Sequence, residues 1–170
     1  NLLTFDRDNL TNMYNEKTQY KSLFDVLNKT STPMGRRLLK HNLSQPLVSV
    51  PEIENRYNFI DQLMKDNKWV SIKERLVGIN DIERYSRKIS LNIINPIDFH
   101  NWIQSISNSM ELYNYLLTNN LTICDNRFIL LGMNKMLSFI SKYFEVDELS
   151  KYLINDISGR IFKTGYYKDV

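Results

Sequence analysis

Thr30-Ser31-Thr32-Pro33-Met34-Gly35-Arg36-Arg37-Leu38-Leu39 is the stretch on which the fold turns. Thr32 can cap a helix. Pro33 suits its first position, because it has no N–H to lose there and its φ is already helical. At 100° per residue, Met34, Leu38, Leu39 and Leu43 fall in one half of the helix that follows. Arg36, Arg37, Lys40 and His41 fall in the other. Pro46 ends it. The spacing therefore predicts an amphipathic helix with a basic face, entered from the apolar turn Ser22-Leu23-Phe24-Asp25-Val26-Leu27.

The same grammar repeats along the chain. Ser49-Val50-Pro51-Glu52 reads as a capping box, followed at helical spacing by Ile53, Tyr57, Ile60 and Met64. Asn80-Asp81-Ile82-Glu83 reads as an Asn-led box, with Ile82, Tyr85 and Ile89 as its buried stripe. Asn95-Pro96 is another cap-plus-Pro entry, opening the longest periodic stretch through Trp102, Ile103, Ile106, Met110, Tyr113 and Leu117. A further stripe runs through Phe128, Leu131, Met136, Leu137, Ile140 and Phe144. Asp147 is placed to cap a short helix holding Leu149 and Leu153. Only Ile157-Ser158-Gly159-Arg160-Ile161-Phe162-Lys163-Thr164-Gly165-Tyr166 breaks the rhythm. It reads as a turn or short hairpin leading out. The class is all-α, multi-helical, with short connections and a short irregular or hairpin segment near the C-terminal end.

Composition agrees. A chain of 170 residues with 42% hydrophobic and 24% charged residues has the size and make-up of one globular domain. No apolar run approaches the roughly 20 residues of a membrane span. The first residues carry Asp6 and Asp8 and no basic region ahead of an apolar run, so no secretory signal is visible. One cysteine, Cys124, excludes an internal disulfide and favours an intracellular location. The balance of 22 basic and 19 acidic residues, net +3, is too mild to imply a nucleic-acid partner by itself. The chain begins without Met and its pattern runs to Val170 without a stop, so it reads as a segment of a larger protein.

Chemistry is hard to find. A zinc or Cys–His site needs converging ligands, and His41 and His100 stand far apart, each read as part of a solvated helix face. A phosphate loop needs Gly-x-x-x-x-Gly-Lys-Ser/Thr, and Gly35, Gly78, Gly132, Gly159 and Gly165 are not spaced that way. Glu145, Asp147 and Glu148 sit where a helix start favours negative charge. Tyr57, Tyr85, Trp102, Tyr113 and Phe144 could stack on bases, but they lie on apolar stripes and read as core. The basic face of Arg36, Arg37 and Lys40 is the one candidate surface for DNA phosphates.

The motifs do resemble a known family. Its pattern Leu-x-x-x-Leu-x-x-Thr-x-Thr-Pro-Met-Gly-x-Arg-x-Leu is met by Leu23, Leu27, Thr30, Thr32, Pro33, Met34, Gly35, Arg37 and Leu39. Leu43, Pro46, Leu47 and Glu54-Asn55-Arg56 continue it. An Asp-Leu-Glu-Arg element is similar to Asp81-Ile82-Glu83-Arg84, and an Asn-Pro-x-Asp helix start is similar to Asn95-Pro96-Ile97-Asp98. Gly159 and Gly165-Tyr166 resemble a closing Gly-rich turn, although Ser158 replaces a frequent Gly. Together these pieces resemble the core, or lever, domain (domain III) of the MutS family of DNA mismatch-repair ATPases.

The resemblance implies one helical domain over residues 1–170. Residues 1–20 would enter from a preceding connector and residues 156–170 would exit toward the lever and clamp. It implies a structural and allosteric role, with no catalytic, cofactor or metal residue within the chain. ATP and Mg belong to a P-loop ATPase elsewhere in the parent. The partners implied are mismatched duplex DNA held by the parent, the other MutS domains, and a second subunit in a homo- or heterodimer, with no membrane. Thr32, Pro33, Met34, Gly35, Asp81, Glu83 and Arg84 are then structural. Gly35 would let another backbone approach, and Asp81, Glu83 and Arg84 would cap and ion-pair. Two rival readings are a helical module that binds duplex DNA directly and a helical protein-interaction scaffold.

Overall fold

The computed structural model describes residues 22–121, 127–152 and 160–165. The entry segment 1–20, Cys124, Leu153, Ile157 to Gly159 and Tyr166 onward lie outside them. Among the described residues eight α-helices follow in order: α1 (Leu23–Leu27), α2 (Pro33–Ser44), α3 (Val50–Met64), α4 (Lys68–Val77), α5 (Ile82–Ser90), α6 (Pro96–Thr118), α7 (Arg127–Tyr143) and α8 (Val146–Leu149). A 3₁₀ turn, Lys65–Asn67, links α3 to α4. There Asp66 and Asn67 both take positive φ, 55° and 53°, a conformation that short polar side chains tolerate best. Among the described residues there is no strand, only an isolated antiparallel bridge, Phe144 to Phe162. The fold is all-α.

The chain divides into two compact units, one ending at Arg56 and one beginning at Tyr57. The first contains α1, α2 and the start of α3. Thr32 caps α2 with Pro33 at the first position, as expected, and the apolar turn before it is a short helix capped by Ser22.

In the second unit α6 is the hub, with α4, α5, α7 and α8 packed on it. Trp102, Ile103 and Ile106 of α6 bury with Ile140 of α7 and Leu149 of α8. Ile82, Tyr85 and Ile89 of α5 close over this cluster, as does Phe99. Asn95 caps α6 by accepting the Asp98 N–H at 2.7 Å, and Pro96 takes the first position. Each fully buried Leu or Ile here contributes about 1.5–3 kcal/mol relative to exposure.

Several expectations need correction. The α5 cap is Asp81 rather than Asn80: its carboxylate accepts the Arg84 N–H at 3.1 Å. Asn80 instead gives its N–H to Ser105 Oγ, so the register moves by one residue. At α8 the cap position is Glu145, whose side chain makes no capping bond, and Asp147 lies in the first turn. Tyr57, read as core, is 62% exposed, and the periodic stripe of α7 leaves Phe128 and Leu131 exposed. Helical periodicity shows that a helix has an apolar face; it does not say that the chain supplies something to cover it. The described part of the tail includes a turn at Thr164 and Gly165, in keeping with the expected turn. It runs beside the end of α7, where Glu145 N–H donates to the Ile161 carbonyl at 2.8 Å and Lys163 N–H to the Tyr143 carbonyl at 3.0 Å.

Candidate coupling site: a capped corner and a helical clamp

The corner between α1 and α2 is built from local bonds. Ser22 Oγ accepts the Asp25 N–H at 3.2 Å and donates to its carboxylate at 2.9 Å. Asn28, just after α1, accepts from the Thr30 hydroxyl at 2.7 Å and from its N–H at 3.4 Å. Thr32 Oγ1 then accepts the Gly35 N–H at 3.0 Å. Each bond satisfies a group that a helix end or turn leaves without a partner. Thr32 is buried and its hydroxyl is matched, so its place in the motif is physical.

Gly35 has a more specific reason than the expected approach of another backbone. A Cβ placed there would lie 3.0 Å from Thr32 Oγ1 and 3.6 Å from Thr30 Cβ. The missing side chain leaves room for the capping oxygen. Thr30, Thr32 and Gly35 are therefore one steric unit.

Arg36, Arg37 and Lys40 are exposed on α2. They are not equivalent. The Arg36 guanidinium sits over the ring of buried Phe24, 5.5 Å from its centroid. That is cation–π range and ties α2 to α1. Met34 is half-buried and Pro33 exposed.

In the second unit, Asp81, Glu83 and Arg84 open α5. Asp81 caps through the backbone N–H of Arg84, while the Glu83 and Arg84 residues are exposed. The bonds that join α5 to α6 lie further along. Lys88 pairs with Asp98, and Trp102 Nε1 donates to Ser86 Oγ at 3.0 Å. The motif therefore starts the helix, and residues one and two turns later clamp it. No sequence pattern marks Ser86 or Lys88 in advance.

Further bonds hold the hub. Ser105, fully buried on α6, accepts the Asn80 N–H at 3.0 Å and donates to the Asn101 carbonyl at 2.7 Å. Asn108 donates to the Gly78 carbonyl at 2.7 Å across the α4–α6 joint. A Cβ on Gly78 would stand 2.7 Å from that Asn108 nitrogen. His100 is half-buried, not on a solvated face. Its Nδ1 lies 3.1 Å from the Val146 carbonyl, which can only accept, so Nδ1 carries the proton. Arg75 of α4 lies over Tyr115 of α6, 4.3 Å from the ring centroid.

At the far end of α6, Phe99 stacks with Trp102 at 5.9 Å and meets Phe144 edge-on at 5.2 Å, and Phe144 in turn meets Phe162 at 5.0 Å. An open apolar cavity of about 260 Å³ lies here, lined by Ile89, Pro96, Phe99, Phe144, Leu149 and Phe162. Its wall offers no acid, base or nucleophile. Among the described residues no three His, Cys, Asp or Glu side chains gather as a metal site would require. Among them also, no helix is long and apolar enough to cross a membrane. What the arrangement can do is hold helices rigidly at several defined joints.

Comparison with known proteins adds the family. Residues 4–163 match the family profile described as MutS domain III. A mutS homologue of Acanthamoeba polyphaga mimivirus, named for DNA mismatch repair, is 34% identical over 99% of this chain and 15% of its own length. The DNA mismatch repair protein MutS of Treponema denticola is 32% identical over 95% of this chain and 18% of its own length. That of Caldanaerobacter subterraneus subsp. tengcongensis is 31% identical over 88% and 17%. The chain thus spans about a sixth of the length of the curated relatives it matches.

Proposed function

The chain belongs to the MutS family, as its domain III, and from that premise we propose that it is the non-catalytic core of a longer mismatch-repair polypeptide, coupling DNA grip to ATP turnover. In this reading the parent binds mismatched duplex DNA and hydrolyses ATP with Mg. It works as a homo- or heterodimer, inside the cell, and this domain transmits state between its other domains. The observation that carries the reading is the match over residues 4–163, on a chain whose described residues present joints between helices. Coupling between distant sites needs packed elements that both sites can bias. The long-range bonds of α6 to Asn80, Gly78, Ser86 and Val146 are joints of that kind.

The test is the reading frame on both sides of the chain. A Phe-x-Glu motif upstream and a Gly-x-x-x-x-Gly-Lys-Ser/Thr loop downstream are expected. A P-loop without Phe-x-Glu keeps the family and moves the substrate toward other DNA structures. Absence of both overturns the reading.

A second reading has its own observation: Arg36, Arg37 and Lys40 are exposed along one helix. If they touch phosphates, changing all three to Glu in the full-length protein flattens the salt dependence of duplex affinity by a slope of about 3. An unchanged slope removes direct contact and leaves the coupling role.

A further inference from the structure

Among the described residues, four that are not glycine take positive φ: Asp66, Asn67, Asn92 and Asn120. Asn92 and Asn120 stand singly, each just beyond the end of a helix. The bonds that close those ends are in place, from the Ile93 N–H to the Lys88 carbonyl at 3.0 Å and from the Leu121 N–H to the Leu116 carbonyl at 2.8 Å. Such a closure offsets a left-handed residue by giving the last carbonyls partners. Asp66 and Asn67 differ. They are adjacent, at 55° and 53°, and lie between right-handed Met64 and Lys68, so they interrupt a helical run. Asn67 holds the cap position of α4, and its side chain makes no capping bond.

Left-handed backbone outside glycine persists where its surroundings over-determine it. Here Met64, Lys65, Asp66 and Asn67 are all exposed, so packing does little to fix the break. On one side of it, Tyr57, Ile60 and Met64 of α3 are exposed, and turning this part of α3 uncovers little. On the other, α4 is fixed to α6 by the Asn108–Gly78 bond and by Arg75 over Tyr115. The sequence does not demand a break, for Glu52 to Val77 contain neither Gly nor Pro. With Asp66 and Asn67 right-handed, helical backbone bonds would run on through them. They would supply partners for the N–H groups that open α4 without a side-chain cap.

We propose that Lys65–Asn67 is a two-state hinge. In one state Asp66 and Asn67 are left-handed and the chain breaks between α3 and α4. In the other both are right-handed, and α3 and α4 run as one helix. Asp and Asn suit both states, since they visit left-handed backbone more readily than bulkier residues and can also stand in a helix. The exchange turns α3 against an α4 that stays seated on α6. Coupling between distant sites needs an element with two arrangements, and this turn supplies one. That use of the hinge rests on the coupling reading; the hinge itself rests on the backbone.

The test measures one distance in the full-length polypeptide, between spin labels at positions 58 and 73, both exposed and both in the second unit. Along an unbroken helix these positions lie about 22 Å apart, and a bend brings them closer. Pulsed dipolar spectroscopy should find both separations in the wild-type protein. Asp66→Ala with Asn67→Ala should enlarge the long component several-fold, because alanine favours the right-handed helix and resists the left-handed region. Asp66→Gly with Asn67→Gly should empty it, because glycine enters the left-handed region without steric cost. A single separation in the wild type, or a ratio that neither pair of substitutions moves, overturns the hinge. The two readings fail separately. A P-loop in the reading frame with one fixed separation removes the hinge and keeps the coupling domain; two separations in a frame without a P-loop keep the hinge and remove the coupling domain.

Discussion

The corner at α1–α2 and the hub at α6 are both held by polar side chains, but their bonds have opposite reach. In the corner the named partners are two or three residues apart: Ser22 with Asp25, Asn28 with Thr30, Thr32 with Gly35. Across the joints of the hub they are 10 to 46 residues apart, as in Lys88 with Asp98, Ser86 with Trp102, Asn80 with Ser105, Gly78 with Asn108 and His100 with Val146. Burial follows the same split. Helix α2 buries no residue, whereas α6 buries Trp102, Ile103, Ser105 and Ile106. Yet both helices begin with the same chemistry, a capping side chain followed by proline. A local code can start a helix; only distant partners decide whether that helix becomes core.

The contrast should break most visibly at Trp102. Trp102→Ala removes a buried ring that stacks on Phe99, and it leaves Ser86 without the indole donor. A loss of about 3–5 kcal/mol is expected, enough to unfold a marginal domain. Denaturant unfolding followed by far-UV circular dichroism measures it. A loss below about 1 kcal/mol would mean that the α6 cluster is not the centre of the fold.

The two caps sharpen the contrast, because their local cost should be equal and their reach should not. Thr32→Ala and Asn95→Ala each remove one capping acceptor, at about 1 kcal/mol. In hydrogen exchange, Thr32→Ala should lose protection within α2 and leave the α6 amides unchanged. Asn95→Ala should lower protection through α5, α6, α7 and α8 together, since α6 joins them. Global loss from Thr32→Ala would show that the corner is coupled into the core.

A smaller effect is expected at the α4–α6 joint. Asn108→Ala deletes one bond to the Gly78 carbonyl, about 1 kcal/mol. Gly78→Ala should cost a similar amount by displacing the same side chain. In the Asn108→Ala background Gly78→Ala should cost nothing further, because the obstructing nitrogen is gone. Equal costs in both backgrounds would mean that the glycine serves something other than this contact.

This difference in reach also explains what could be read in advance. The caps at Thr32 and Asn95, the prolines after them and the stripes of α5 and α6 depend on residues within a turn or two, and periodicity exposes them. The α5 box was legible to within one residue; the structure gives Asn80 a partner 25 residues away, which its neighbours could not indicate. Gly35 was expected to admit another backbone; that a Cβ there would lie 3.0 Å from the Thr32 oxygen needed coordinates. The clamp by Ser86 and Lys88 was not legible, because a serine and a lysine on a helix are the commonest solvent-facing residues. Tyr57 was misread as core because an apolar stripe looks the same whether or not the chain supplies its cover.

The smallest effect belongs to α8, a four-residue helix that tests whether a charge pair or a distant contact holds an element in place. Lys151 donates to Glu148 at 2.6 Å, and this hydrogen bond, then the charges of Glu148 and Asp147, raise the lysine above its ordinary value. A raised lysine stabilises the fold in full below its unfolded pKa, and the contribution is lost only as pH rises through the folded value. At neutral pH the lysine is therefore charged. The pair is also open to solvent, with side chains 67% and 39% exposed, where screening and side-chain entropy remove most of its worth. Leu149 is buried beside it, and His100 reaches the Val146 carbonyl from 46 residues away. Lys151→Ala should leave the unfolding midpoint unchanged between pH 6 and 9, while His100→Ala should lower it. The reverse result would mean that α8 is held by its local pair, and the division between a locally built corner and a distantly built hub would fail at this helix.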